Sequence, residues 1–320
     1  MTDRPPRPRA VTAIAIAATI GAGVLVATQH RLNGELGQRL DDGFTAALIS
    51  FGSGWLLLMA VLAVSPRGQR GLRALRTEVR AGRLPWWLLL GGLGGAVLVL
   101  SQGLVAGILG VAIFTIASVT GQTVSGMVAD ATGFAGMGRT PVTPQRVVGA
   151  LLTLAAVVVA VGPRLATDVP VAAIILPLVA GLAIGLQQAV NGRVRRDADS
   201  ALAATTLNFA IGTAALVAAT GVHLLIVGLP AAPPTEPWLY LGGAVGAIFI
   251  AIQTVTVARI GVLVLGLSLV AGQLVGALLY DLVAPIGVPT TGSTAIAVVL
   301  TLAGVTIASL PPRRATRSRA

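Results

Sequence analysis

The chain contains the same passage twice. Gln29, Asn33 and Gly34 spell Q-x3-N-G, and 16 residues later Phe51 and Gly54 spell F-x2-G. Gln187, Asn191 and Gly192, followed by Phe209 and Gly212, repeat both elements at the same spacing, 158 positions on. A second stretch also recurs. Pro85-Trp86, Gln102, Gly121-Gln122 and Asp130 return as Pro237-Trp238, Gln253, Gly272-Gln273 and Asp281, and the offset has fallen to 151 at Gln122 and Gln273. A shorter loop absorbs most of the difference, with 31 positions from Gly54 to Pro85 but 25 from Gly212 to Pro237. A duplicated chain of this kind folds as two like units that bury surface against each other.

Composition says in what solvent. Charged residues are 10% of the chain, against about 25% in soluble domains. Hydrophobic residues are 55% before 40 glycines are counted, and the mean hydropathy is +0.89. The apolar runs are about 20 residues long, the length of a membrane-crossing helix, and lack the short alternation of a β-barrel. Ten spans are expected, at 11–30, 43–64, 85–106, 110–130, 146–162, 171–190, 201–228, 238–258, 262–282 and 293–310. The fold class is therefore an all-α polytopic membrane protein of ten transmembrane helices, arranged as two five-helix repeats. Five is odd, so the second repeat enters the membrane upside down relative to the first, the usual plan of secondary transporters. The expected organisation is a cytoplasmic N-tail (1–10), a first repeat (11–162), an external linker (163–170), a second repeat (171–310) and a basic cytoplasmic C-tail (311–320). Arg4, Arg7 and Arg9 before an apolar run resemble a secretion signal, but 11–30 has a repeat partner at 171–190 and reads as a retained span.

All 22 basic residues are arginine. With both termini inside, 19 of them fall in cytoplasmic segments and only Arg31, Arg39 and Arg164 fall outside. That asymmetry orients a multi-pass protein in a bacterial-type inner membrane with cytoplasmic termini. It also removes nucleic acid as the meaning of the net charge of +11, because the arginines flank spans rather than form one basic face. The loop at 66–84 sets arginines on one helical face and Leu72, Leu75 and Val79 on the other. It reads either as an interfacial helix on anionic lipid or as a basic loop that only fixes topology.

The duplicated Q-x3-N-G…F-x2-G element, the tandem five-span halves and the G-Q-x7-D helices resemble the YdcZ-like branch of the drug/metabolite transporter superfamily, from about Val11 to Leu310. The resemblance implies a ten-helix inner-membrane exporter of the fused form, and no particular substrate. Small multidrug exporters of the superfamily carry a Glu within the first helix. Here 11–30 holds no acid, so a Glu-based exchange of drug for proton does not carry over.

Eleven acids are present, and none is expected at mid-membrane. Asp130 and Asp281 come nearest, as repeat mates at helix ends. They read as proton-coupling gates or as structural helix-end groups. The amides are the richer signal. Gln122 and Gln273 fall near mid-span, where repeat-built carriers bind substrate. Gln102, Gln253, Ser118 and Thr256 complete the expected substrate-binding set, with hydrogen-bond glue between helices as the other reading. Gln29, Asn33, Gln187 and Asn191 are expected at helix ends, as caps or gates. His30 and His223 read as interfacial, and no metal site or cofactor is expected. The leading reading is a secondary-active or facilitative transporter of a small metabolite or drug-like solute, working by alternating access around a central neutral-polar cavity. A non-transporting membrane scaffold and a lipid-acting enzyme stay open as alternatives, and so does a homodimer. No phosphate-binding G-x4-G-K-[ST] loop is present to support ATP hydrolysis.

Overall fold

The computed structural model describes residues 9–136, 138–139, 141–162, 170–286 and 292–310. Most of the N-tail, the linker and the C-tail, with their arginines, lie outside the described residues. Among those described there are helices and no strands. Nine helices are long and apolar enough to cross a membrane, and a tenth apolar segment, Pro237–Gln253, is shorter.

The first copy comprises α1 (Arg9–Leu40), α2 (Gly43–Ala63), a short basic helix α3 (Pro66–Arg80), α4 (Gly92–Ser101), α5 (Gly107–Leu109), α6 (Val111–Thr132) and α7 (Pro144–Val161). The second comprises α8 (Val171–Ala198), α9 (Ala201–Val227), α10 (Gly242–Val283) and α11 (Gly292–Ser309). Local chemistry sets several starts. The Asp42 carboxylate accepts from the Phe44 and Thr45 N–H groups at 2.8 and 3.3 Å. Ser65, Thr143 and Ser200 cap α3, α7 and α9 in the same manner, satisfying N–H groups that a helix cannot satisfy itself.

The first span does not stop near residue 30: α1 runs to Leu40, and α8 likewise runs to Ala198. Gln29, Asn33, Gln187 and Asn191 therefore lie inside helices, not at their ends. Gly34 does not terminate α1, because it is a contact point: a Cβ there would press on Gly107 and Ala106. The eighth and ninth spans both fall largely within α10, whose helical hydrogen bonding runs from Gly242 to Val283. The segment nevertheless doubles back. Its start meets α1 where Gly242 faces Asn33, while near its end Tyr280 bonds the Thr28 hydroxyl at 2.8 Å. The two limbs therefore run side by side along α1. In the first copy the corresponding reversal is made by Gly110, at φ +83°, a conformation natural only to glycine.

The two copies interlock through reciprocal contacts. Gly23 of α1 meets Gly272 in the second limb of α10, and the repeat mates Gly181 and Gly121 meet between α8 and α6. Added methyl groups at these positions would collide with backbone carbonyls of the facing helix. Small residues permit such backbone approach, the main source of helix association where apolar burial offers no net drive. Two further contacts join repeat-related helices, marking where a pseudo-twofold axis passes. Phe51 of α2 stacks on Phe209 of α9, with centroids 4.4 Å apart and rings 14° from parallel. At the other end Gly149 of α7 abuts Gly304 of α11.

Candidate substrate cavity

The glycine pairs Gly91/Gly95 and Gly242/Gly246 open the faces of α4 and α10 to the Q-x3-N motif of the opposite copy. Gly242 and Gly246 face Asn33 and Gln29, and Gly91 and Gly95 face Asn191 and Gln187. The duplicated motif and the duplicated glycines are thus two halves of one cross-copy contact. Beside it, on the pseudo-axis, lies a cavity of about 260 Å³.

Most of its lining comes in repeat-related pairs: Gln29 with Gln187, Gln122 with Gln273, and Phe51 with Phe209. His30 and Gln188 form another pair, and Leu98, Val99, Phe249 and Ile250 supply apolar wall. Among the described residues the lining holds no carboxylate and no guanidinium. The amides divide by what they already bind. Gln29 Nε2 donates to the Gly242 carbonyl at 2.9 Å, and Gln187 Nε2 donates to Asn208 Oδ1 at 3.2 Å. Asn208 in turn donates to Asn191 Oδ1 at 3.0 Å. By contrast, Gln122, Gln253 and Gln273 make no side-chain hydrogen bond among the described residues, although Gln273 is 5% exposed. Amides that open onto a cavity without a protein partner are available to a solute with matching donors and acceptors.

The remaining expected site residues sit elsewhere. Gln102 is fully buried and accepts from Asn33 Nδ2 at 2.5 Å, away from the cavity wall. Ser118 donates to the Thr115 carbonyl at 3.1 Å, and Thr256 shares a 3.1 Å contact with the Thr19 hydroxyl. Asp281 is buried at the start of α6, where its two oxygens accept from the Val111 and Ala112 N–H groups at 2.9 and 2.8 Å. Asp130 is paired with Arg146 at 2.8 Å and half exposed. His30 is not interfacial: it is 2% exposed, lies 3.1 Å from the Thr115 hydroxyl and packs edge-on to Phe114. Sequence reasoning passed over His30, Gln188, Thr205 and Asn208 as lining. The first two directly follow the motif glutamines in both copies, which was the available signal. His223 stacks on Phe44 and lies 3.4 Å from Asp42. No group of three metal-ligating side chains occurs among the described residues.

A family profile described as "Putative inner membrane exporter, YdcZ" matches residues 14–159 and again 172–307. A solved structure, described as "Crystal structure of protein", is 21% identical and superposes with a TM-score of 0.54, covering 94% of this chain and 97% of its own. That likeness shows a shared fold. Among curated proteins none matches the sequence.

Proposed function

The chain belongs to the YdcZ family of multi-pass membrane transporters, and from that premise we propose that it moves a small polar solute, uncharged or zwitterionic, by alternating access through the central cavity. The observation that carries this reading is the cavity's place on the pseudo-axis with a wall of paired amides. Repeat-built carriers bind substrate at the interface between their halves. Neutral donors and acceptors hold a polar solute without a fixed counter-ion, and the low charge lets the loaded site switch sides without moving an ion pair through low dielectric. The stacked Phe51–Phe209 pair gives the halves a hinge on which to rock.

Coupling to protons is not required by this arrangement. Asp281 and Asp130 are each engaged by a structural partner outside the lining, which favours facilitative transport or coupling through the solute itself.

The test is thermal stabilisation of detergent-solubilised protein across a panel of polar metabolites, amphiphilic cations and acids. A zwitterion or neutral polar solute is expected to raise the melting temperature, and the rise is expected to vanish in Gln122→Ala/Gln273→Ala. Stabilisation by the same solute in both proteins would place its site elsewhere. A response confined to permanent cations or to acids would overturn the substrate class.

A further inference from the structure

The cavity is symmetric at its centre and one-sided beyond it. Six lining residues lack a lining repeat mate: Gly95, Asn191, Thr205, Asn208, Gln253 and Leu269. All six lie toward the end of the bundle that carries α3 and the arginines of the α8–α9 turn. Their mates Gly246, Asn33, Ala47, Ser50, Gln102 and Ser118 are all buried. The two sets differ by conformation, since the sequence supplies both. At the closed end Asn33 and Gln102 are each fully buried and bonded at 2.5 Å. At the other end their mates Asn191 and Gln253 both face the cavity. Asn191 is held by Asn208, and Gln253 makes no side-chain hydrogen bond among the described residues.

Two independent features mark the closed pair as one of two states. The backbone from Gln102 to Ala106 is π-helical, whereas the corresponding stretch beyond Gln253 continues as α-helix. Single π-turns concentrate at functional sites in helices. In addition, Asn33 Oδ1, Gln102 Nε2 and Ser50 Oγ are buried at the closure without a hydrogen-bond partner. A closure that leaves polar atoms unpaired is held less firmly than its burial suggests.

We propose that Asn33–Gln102 and Asn191–Gln253 are the two gates of the path and are made in alternation. The closed pair seals the face remote from the arginines. The transport step breaks it, straightens the π-turn at Gln102 and forms the Asn191–Gln253 pair, sealing the arginine-bearing face. The proposal rests on the carrier reading but adds which atoms close each end.

The chain has no cysteine, so introduced thiols report without background. Thr205→Cys and Ala47→Cys serve as reporters for the two faces, labelled in membrane vesicles of either orientation by a membrane-impermeant maleimide. Each is combined with Asn33→Cys/Gln102→Cys or Asn191→Cys/Gln253→Cys, joined beforehand as a disulfide by copper phenanthroline, the two thiols losing their protons and two electrons to the oxidant while the partnerless reporter thiol stays free. With the first pair linked, position 205 is expected to label and position 47 to fall silent. With the second pair linked, the pattern reverses. Labelling of position 47 despite the first link, or of position 205 despite the second, overturns the gates. So does a second link that never forms. If both reporters label from opposite faces yet ignore the links, alternation stands and the gate assignment fails. If position 47 never labels in any chain, the carrier reading fails with it. Should the double-cysteine chains not assemble, Asn33→Ala alone is expected to raise labelling at position 47 several-fold and lower it at 205. Unchanged labelling in that variant overturns the proposal equally.

Discussion

At the scale of single residues, Asp281 and the amides show what a side chain's surroundings add to its identity. Asp281 sits where Gly110 reverses the chain, and it offers two oxygens to two N–H groups at the start of α6. Its removal in Asp281→Ala is expected to cost about 1–2 kcal/mol of stability, read as a lower melting temperature. Asp281→Asn keeps one acceptor oxygen but turns an NH2 toward the other N–H, so it is expected to recover only part of that loss and to retain transport with its pH dependence unchanged. A proton-coupling role predicts instead that transport by the Asn variant no longer responds to pH. The cavity was half legible in the sequence. Gln122 and Gln273 could be picked as repeat-related amides near mid-span and Gln253 as a further candidate, and all three line the wall. Gln102 has the same chemistry and the same repeat logic but is bonded to Asn33 away from the cavity, while the hydroxyls of Ser118 and Thr256, chosen for sharing helical faces with glutamines, bond the Thr115 carbonyl and the Thr19 hydroxyl instead. A repeat identifies both mates of a pair equally. Which mate faces open space depends on the state of the molecule, and no residue spacing encodes that.

At the scale of helices, the crossings are set by glycines whose backbones touch. Gly23 against Gly272 and Gly181 against Gly121 are related by the duplication. Gly23→Val and Gly181→Val are each expected to destabilise by about 1–3 kcal/mol, the usual range for forcing extra volume into a packed site. Melting of the solubilised protein checks both, and a large loss in one with none in the other would mean the crossings are not equivalent. Helix existence and number were readable from hydropathy because lipid leaves the backbone few choices. The ends of α1 and α8 were not. Beyond Asn33 the chain turns polar, with Arg31, Glu35 and Arg39 forming i,i+4 ion pairs, so the helix continues past the point where apolar counting stops. The amphipathicity of α3 was also legible, but its occupant was not. Leu72, Leu75 and Val79 pack into a cluster with α8 and α9, so the apolar face rests on protein and the arginines face outward. Our proposal for these arginines is contact with anionic headgroups. Replacing Arg70, Arg73 and Arg76 by Gln is expected to leave the melting temperature in neutral detergent unchanged, while removing the extra stability that added anionic lipid confers on the parent chain.

At the scale of the whole molecule, the inverted plan joins the sequence to the function. The main helix crossings between the copies are returned: α1 to α10 as α8 to α6, the motif amides to the facing glycines, and the two phenylalanines to each other. The exchange of gates set out above therefore trades one set of bonds for a nearly identical set. Two conformations assembled from equivalent contacts differ little in free energy, and an equilibrium so balanced has no built-in preference for one side of the membrane. On the gate proposal, the protein carries no ratchet of its own: solute would leave wherever it is scarce, and the cell's own concentration difference would decide whether the cytoplasm empties or fills.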